Sequence, residues 1–259
     1  HLGNESASAL LTAFLSPTAD SVMLRDYYSQ SLISQRELII ASLSRAFPII
    51  IMEARYMLPT LLPILGIVGL FYYGTWMGIS FVVTLIACLL GLLLLPQKSL
   101  GNIKVEGDPL PFKAALKESL KDSRKSLKRV LIILIPTTIG AFILADMGAF
   151  NALADKMGRF SQYLPIPSRG LPILAAYIAS PIASYPIAGT LLAEGILGAK
   201  EVIILFLLGS ILAIPLHLRI LVPHYLGIYG PGIGAELLAY SFGLRSLVTL
   251  AVIALLITL

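Results

Sequence analysis

The sequence predicts an all-α polytopic membrane protein with two internal repeats, on three observations. Hydrophobic residues make up 57% of the chain and charged residues only 13%, with a mean hydropathy of +0.89, whereas soluble domains are about 45–50% apolar and about 25% charged. Apolar runs such as 81–95 and 246–259 suit helices that cross a bilayer, which need roughly 20 mostly apolar residues. The third observation is that one half of the chain matches the other after a shift of 164 positions.

The match between the halves runs without a gap over more than fifty residues. Its pairs include Ser16/Ser180, Pro17/Pro181, Ala19/Ala183, Glu37/Glu201, Arg55/Arg219, Pro59/Pro223 and Gly66/Gly230. Matched Ser, Glu, Arg, Pro and Gly are informative because these types are scarce in so apolar a chain. Duplicated halves are a common plan for membrane transporters, with the binding site where the halves meet.

We divide the chain into five parts. They are a first membrane repeat (1–95), a basic linker (96–129), a connecting transmembrane helix (130–147), a polar loop (148–170) and a second membrane repeat (171–259). The linker holds nine Lys or Arg residues against four Asp or Glu residues. Such an excess marks a cytoplasmic loop, so we place the protein in the cell membrane as a multi-pass chain with the linker in the cytoplasm. A nucleic-acid partner is not expected.

The relative orientation of the repeats follows from the number of crossings. With the linker inside, four crossings per repeat give inverted repeats and three give parallel ones; we favour inversion. The helix before the second repeat has no counterpart in the first, so we expect one further helix upstream of His1.

Each repeat is predicted to start with a broken helix or a re-entrant hairpin at its Ser-Pro motif. Pro17 lacks a backbone donor and disfavours helix at Ser16. The second repeat is expected to break at Ser180-Pro181 and again at Tyr185-Pro186.

The next helices are expected to run over 37–55 and 201–219, because a Glu suits a helix start and an Arg suits a helix end. Pro48 and Pro215 are expected to interrupt them. Helices over 56–72 and 75–95 follow, separated by a turn at Tyr73-Gly74; the second repeat has its turn at 230–232.

The helix breaks are the first candidate site. A break inside the bilayer frees backbone N–H and C=O groups that can hold a solute, whereas a simple proline kink would hold none. The substrate-binding candidates here are Ser16, Pro17, Asp20, Ser180, Pro181 and Ser184.

The matched arginines Arg55 and Arg219 are further substrate-binding candidates, as a ligand clamp or a gate salt bridge. The alternative is that both side chains snorkel to the headgroups. Glu53 and His217 stand two positions before them and are candidates for gating or coupling. The cluster of Asp20, Arg25 and Asp26 is either a solvated hairpin end or a coupling-ion site.

The sequence contains no motif of a known enzyme class: no Gly-x-Ser-x-Gly, no phosphate-binding loop and no His-Glu-x-x-His. Cys88 is the single cysteine, and two histidines lie within the chain beyond His1. We therefore predict no enzymatic activity, no cofactor and no metal site.

The stretch 3–9, Gly-Asn-Glu-Ser-Ala-Ser-Ala, followed by an apolar run into Ser16-Pro17-Thr18-Ala19-Asp20, resembles the gate, or nucleoside-recognition, domain family. The stretch 178–181, Ile-Ala-Ser-Pro, resembles it as well. This family of prokaryotic membrane proteins includes spore-maturation-type proteins and the membrane part of ferrous-iron transporters, and is related distantly to concentrative nucleoside transporters. The resemblance implies nucleosides as one substrate class; the nucleotide-hydrolysing domain of the iron transporters is absent from this sequence.

These observations predict a secondary transporter of a small polar solute or ion (nucleoside-like, an organic anion or a metal ion), bound between the repeats near the membrane midplane. Its partners would be that solute and the lipid bilayer, with a homodimer left open. The alternative is a non-transporting membrane scaffold or assembly protein of the spore-maturation type.

Overall fold

The computed structural model describes residues 2–96 and 168–258, together with positions 132, 135, 136, 139, 143 and 147. Within these residues all regular secondary structure is helical, which confirms the predicted all-α class there. The basic linker and the polar loop fall almost entirely outside the described residues, as do twelve of the eighteen positions of the predicted connecting helix. Of its other six positions, 132, 135, 136, 139 and 143 are helical.

Ten α-helices are described. Those before the linker are α1 (Asn4–Ala13), α2 (Pro17–Ser29), α3 (Gln35–Ser44), α4 (Ala46–Leu65) and α5 (Ile67–Leu94). After a short 3₁₀ turn at Ser168–Gly170 come α6 (Leu171–Ala179), α7 (Pro181–Ala193), α8 (Ala199–Leu212), α9 (Ile214–Tyr229) and α10 (Pro231–Thr258).

Two of these helices, α5 and α10, are long and apolar enough to cross a membrane. Each has 28 residues, about 42 Å at ~1.5 Å per residue, against a hydrocarbon core of about 30 Å. A third span is available if α8 and α9, bent by 50° at their junction, cross together. Apolar side chains such as Leu93 and Leu247 are 81% and 68% exposed, as lipid contact would require.

The predicted helix breaks at both Ser-Pro motifs are present. Ser16 has extended backbone angles between α1 and α2, and its Oγ accepts a hydrogen bond from Ala19 N at 3.2 Å. Ser180 separates α6 from α7 in the same extended conformation. Each proline is the first residue of the following helix, where its missing N–H has no helical partner to lose.

The break predicted at Tyr185-Pro186 is wrong, because Pro186 lies inside α7. A proline there removes one backbone hydrogen bond in the second turn, and the helix continues.

The helices predicted over 37–55 and 201–219 are each two helices. The first is divided at Arg45 and the second at Ala213. Pro48 and Pro215 therefore lie in the first turn of a new helix, a position that tolerates proline. As a result Arg55 lies in the middle of α4 and not at a helix end.

The turn predicted at Tyr73-Gly74 is also wrong. The chain turns at Gly66, whose φ is 56°, and α5 continues through Gly74. The turn at Gly230 is confirmed, with a φ of 84°. Positive φ is accessible to glycine at little cost, and a Cβ at Gly66 or Gly74 would meet no atom within 4 Å.

Alanine at these two glycines should therefore have opposite effects. We expect Gly66→Ala to lower the free energy of unfolding by about 1–3 kcal/mol, because a side chain is strained in this backbone region. Gly74→Ala should be neutral or stabilising by up to about 1 kcal/mol, because it replaces a glycine in a helix interior. Denaturation of both variants in detergent measures the difference; equal stability would contradict the turn at Gly66.

The helices before and after the linker pack against each other. α5 contacts α10, α4 contacts α7, α3 contacts α10, α8 contacts α5 and α2 contacts α9. The approach of α4 to α7 is close: a Cβ at Gly189 would lie 2.9 Å from the carbonyl oxygen of Ile64. The large hydrophobic cluster draws on both groups of helices, which enclose the cavity described next.

Candidate functional site

A cavity of about 450 Å³ lies between the two groups of helices, lined from α4 and α5 on one side and from the helices after the linker on the other. Its lining is rich in polar and aromatic side chains for a chain this apolar. These are Glu53, Tyr72, Trp76, Tyr177, Tyr185, Ser210, His217, Tyr225, Ser241, Arg245, Ser246 and Thr249.

One wall of the cavity is aromatic and rigidly supported. The hydroxyl groups of Tyr72 and Tyr177 are hydrogen-bonded at 3.1 Å. Behind them Phe206 is fully buried, with its ring centroid 4.9 Å from that of Tyr72, 5.9 Å from that of Tyr177 and 5.4 Å from that of Tyr185. Gly209 allows this packing, since a Cβ there would lie 2.7 Å from Cγ of Tyr177.

A cation, Arg245, is held in the cavity by two contacts. Its Nη2 donates a hydrogen bond to Ser80 Oγ at 3.0 Å, and its guanidinium lies 4.7 Å from the centroid of the Trp76 ring. Ser80 and Arg245 are near the middle of the 28-residue helices α5 and α10. An ionised side chain halfway along a helix that could cross a membrane is costly and points to a functional site.

Two further titratable side chains line the same cavity. Glu53 comes from α4 and His217 from α9. Glu53 interacts electrostatically with Arg245 but forms no direct ion pair with it. The cavity therefore presents a carboxylate and a guanidinium that are separate from each other.

A buried ion pair adjoins the cavity. Arg45 Nη1 lies 2.7 Å from Asp20 Oδ2, and the two side chains are 5% and 1% exposed. The same nitrogen donates to Ser21 Oγ and to the carbonyl oxygen of Pro17. Arg45 Nη2 donates to the hydroxyl of Tyr225 at 3.4 Å. Because Tyr225 also lines the cavity, it links the ion pair to the candidate binding space.

Comparison with known proteins places the chain among archaeal relatives. It is 31% identical over 254 residues to Uncharacterized protein MJ1556 of Methanocaldococcus jannaschii, covering 96% of this chain and 80% of that protein. The chain belongs to the family of MJ1556. Uncharacterized proteins MJ0880 and MJ0871 of the same organism are 24% and 25% identical, over 99% and 96% of this chain.

No protein-family model matches the sequence, and no solved structure matches it. The names of the MJ1556-family relatives assign no activity.

The structure brings three of the predicted site residues to the cavity. Glu53 and His217, the candidates for gating or coupling, both line it, as does Pro181 of the second Ser-Pro motif. Ser184 is buried next to this proline and donates a hydrogen bond to its carbonyl oxygen at 2.6 Å. Ser180 lies between α6 and α7 and does not line the cavity.

The first Ser-Pro motif lies outside the cavity lining. Ser16 caps α2, and Pro17 supplies a carbonyl oxygen to Arg45. Asp20 is fully buried against Arg45, so the interpretation as a solvated hairpin end is wrong for this residue.

The matched arginines are not part of the cavity lining. Arg55 and Arg219 are exposed, and the Arg55 guanidinium rests 4.7 Å from the centroid of the Tyr56 ring. Their positions therefore do not support the ligand-clamp hypothesis.

Sequence reasoning missed Arg45, Arg245 and the tyrosines of the cavity wall. The segment predicted after the turn at 230–232 runs over 233–259 and contains Arg245, but the apolar run 246–259 begins one residue after it. In the structure α10 begins at Pro231, so Arg245 lies near its middle. A lone arginine within such an apolar helix was the available signal. The tyrosines gave no signal in the sequence, because those that line the cavity come from four different helices.

Proposed function

We propose that the protein is a secondary transporter of a small polar solute, which binds in the cavity between two inverted repeats in the cell membrane. The observation that carries the proposal is Arg245, held by Ser80 and Trp76 at the middle of two helices long enough to cross a bilayer. We further propose that the basic linker is cytoplasmic, from its excess of Lys and Arg.

The helix bounds support the repeat. A shift of 164 residues carries α2 (Pro17–Ser29) onto α7 (Pro181–Ala193), and α5 (Ile67–Leu94) onto α10 (Pro231–Thr258), with identical lengths. The turn glycines Gly66 and Gly230 coincide under the same shift.

The contacts between the halves support the same idea. Exchanging each helix for its counterpart turns the α4–α7 contact into the α9–α2 contact, and the α3–α10 contact into the α8–α5 contact. The α5–α10 contact maps onto itself. This pattern is typical of two units related by a pseudo-two-fold axis, and in the inverted case that axis lies in the membrane plane.

The helix breaks at Ser16 and Ser180 are the basis for proposing kinship with the gate-domain family. Half-helices that begin inside a transporter commonly border its binding site, and Pro181 does border the cavity.

The scaffold alternative would require the space between the halves to be filled by apolar side chains. Instead Glu53, His217 and Arg245 line it. Ionisable groups placed around a cavity between such apolar helices favour a transporter over a passive scaffold.

Transport by purified protein in liposomes tests the proposal. We expect uptake of at least one solute from a panel of amino acids, nucleosides and organic anions to exceed that of empty liposomes. Arg245→Ala should lower this uptake by roughly 10–100-fold, since a hydrogen bond to a charged group contributes about 1.5–3 kcal/mol.

Arg36→Ala is the matched control, because it removes an exposed arginine of α3 that does not line the cavity. Its uptake should equal that of the unmodified protein. Equal loss in both variants, or no uptake above empty liposomes across the panel, would refute the proposal.

A further inference from the structure

The geometry points to a small zwitterion as the solute that the cavity selects: a molecule with a carboxylate and an ammonium group on a compact apolar body, as in an α-amino acid. This inference rests on the proposed function and names the substrate class of the same cavity.

The carboxylate would bind Arg245. A guanidinium has five N–H donors in a planar fork, and among the described residues Arg245 uses one of them, in its hydrogen bond to Ser80 Oγ. The face of the guanidinium is occupied by the Trp76 ring. The remaining donors leave an edge suited to two parallel hydrogen bonds with a carboxylate.

The ammonium group would bind Glu53. This carboxylate lines the cavity, makes no direct ion pair with Arg245 and has no hydrogen-bond partner among the described residues. A solute with a single charge would pair one of these two groups and offset its attraction for the other, which would be left poorly compensated in a poorly solvated space, and this is costly. A zwitterion compensates both.

The body of the solute would lie against the tyrosine wall. Tyr72, Tyr177 and Tyr185 present ring surfaces, and the hydroxyl groups of the first two are engaged with each other. A volume of about 450 Å³ is near the small end of the ~300–1,000 Å³ typical of ligand pockets. A metal ion fits less well, since no group of three His, Cys, Asp or Glu side chains is placed for one among the described residues.

Binding can be read from the protein itself, because Trp76 is the single tryptophan and lies against Arg245 in the cavity. We would titrate the full chain in detergent with several α-amino acids and follow the Trp76 emission. Leucine has two matched analogues: 4-methylpentanoate, which lacks the ammonium group, and 3-methylbutylamine, which lacks the carboxylate. We expect at least one amino acid to bind, and leucine to bind at least about tenfold more tightly than either analogue.

The two charged side chains should account separately for this preference. Arg245→Ala should abolish the preference for leucine over the amine, and Glu53→Gln should abolish the preference for leucine over 4-methylpentanoate. Circular dichroism and size exclusion exclude unfolding as the cause. Calorimetry gives the same affinities independently of Trp76, whose emission the Arg245 substitution alters.

The inference is overturned if no amino acid binds, or if a singly charged analogue binds as tightly as leucine. Transport of a nucleoside without amino-acid binding would overturn the inference and leave the transporter proposal intact. Amino-acid binding without uptake into liposomes would leave the inference intact and overturn the transporter proposal.

Discussion

Replacing Arg45 by methionine is expected to destabilise the protein by about 3–5 kcal/mol, because removal of one partner leaves a buried charge uncompensated. Asp20 is fully buried, and its Oδ2 accepts from Arg45 at 2.7 Å. The substitution also removes the donor to Ser21 Oγ and to the carbonyl oxygen of Pro17. Thermal or denaturant unfolding in detergent measures the loss.

A double substitution separates the effect of the buried charge on stability from the effect of packing. Asp20→Asn combined with Arg45→Met removes both charges, and we expect it to recover part of the lost stability, since a buried pair replaced as a whole often costs little. Arg36→Met is the matched control: Arg36 is an exposed residue of α3, and its loss should change stability by no more than about 0.5 kcal/mol. If Arg45→Met and Arg36→Met change the free energy of unfolding by the same amount, the ion pair does not stabilise the fold.

Gly234→Ala is expected to force α9 and α10 apart. A Cβ at this position would lie 2.7 Å from the carbonyl oxygen of Tyr225 and 3.0 Å from Cα of Leu226. These are backbone atoms that cannot rotate away, so the helices must shift, at a cost of about 1–3 kcal/mol for overpacking. Because the side chain of Tyr225 lines the cavity, solute binding should weaken together with the stability.

Gly243→Ala provides the comparison within the same helix. A Cβ at Gly243 would meet no atom within 4 Å, so this variant should match or slightly exceed the stability of the unmodified protein. The unfolding temperatures and the solute affinity of the two variants are measured side by side. A Gly234→Ala protein that equals Gly243→Ala in both would show that the helices are not in close contact there.

The sequence was sufficient for the helical class and for both Ser-Pro breaks, because those depend on composition and on the local chemistry of proline. The position of the turn within 65–75 was predicted wrongly, at Gly74 instead of Gly66. Gly66 has a counterpart at Gly230 and Gly74 has none, so the internal match contained the answer.

The candidate site could be predicted only in part. Glu53 and His217 stood out because they are polar and matched in an apolar chain. The partnership of Asp20 with Arg45, and that of Arg245 with Ser80, join residues 25 and 165 positions apart in the chain. Contacts of this kind depend on how the helices pack, and no local pattern encodes them.

The unlike lining of the cavity has a consequence for how a solute would lie in it. Under the shift of 164 residues, Arg245 corresponds to Phe81 and Glu53 to His217, so two identical halves would place equal groups at both ends. Because the matched positions carry unlike side chains, the pocket is asymmetric, with a guanidinium and a carboxylate at separate places in its lining. A bound zwitterion would keep the same orientation throughout the transport cycle. Reversing it would place its carboxylate next to Glu53 and its ammonium group next to Arg245.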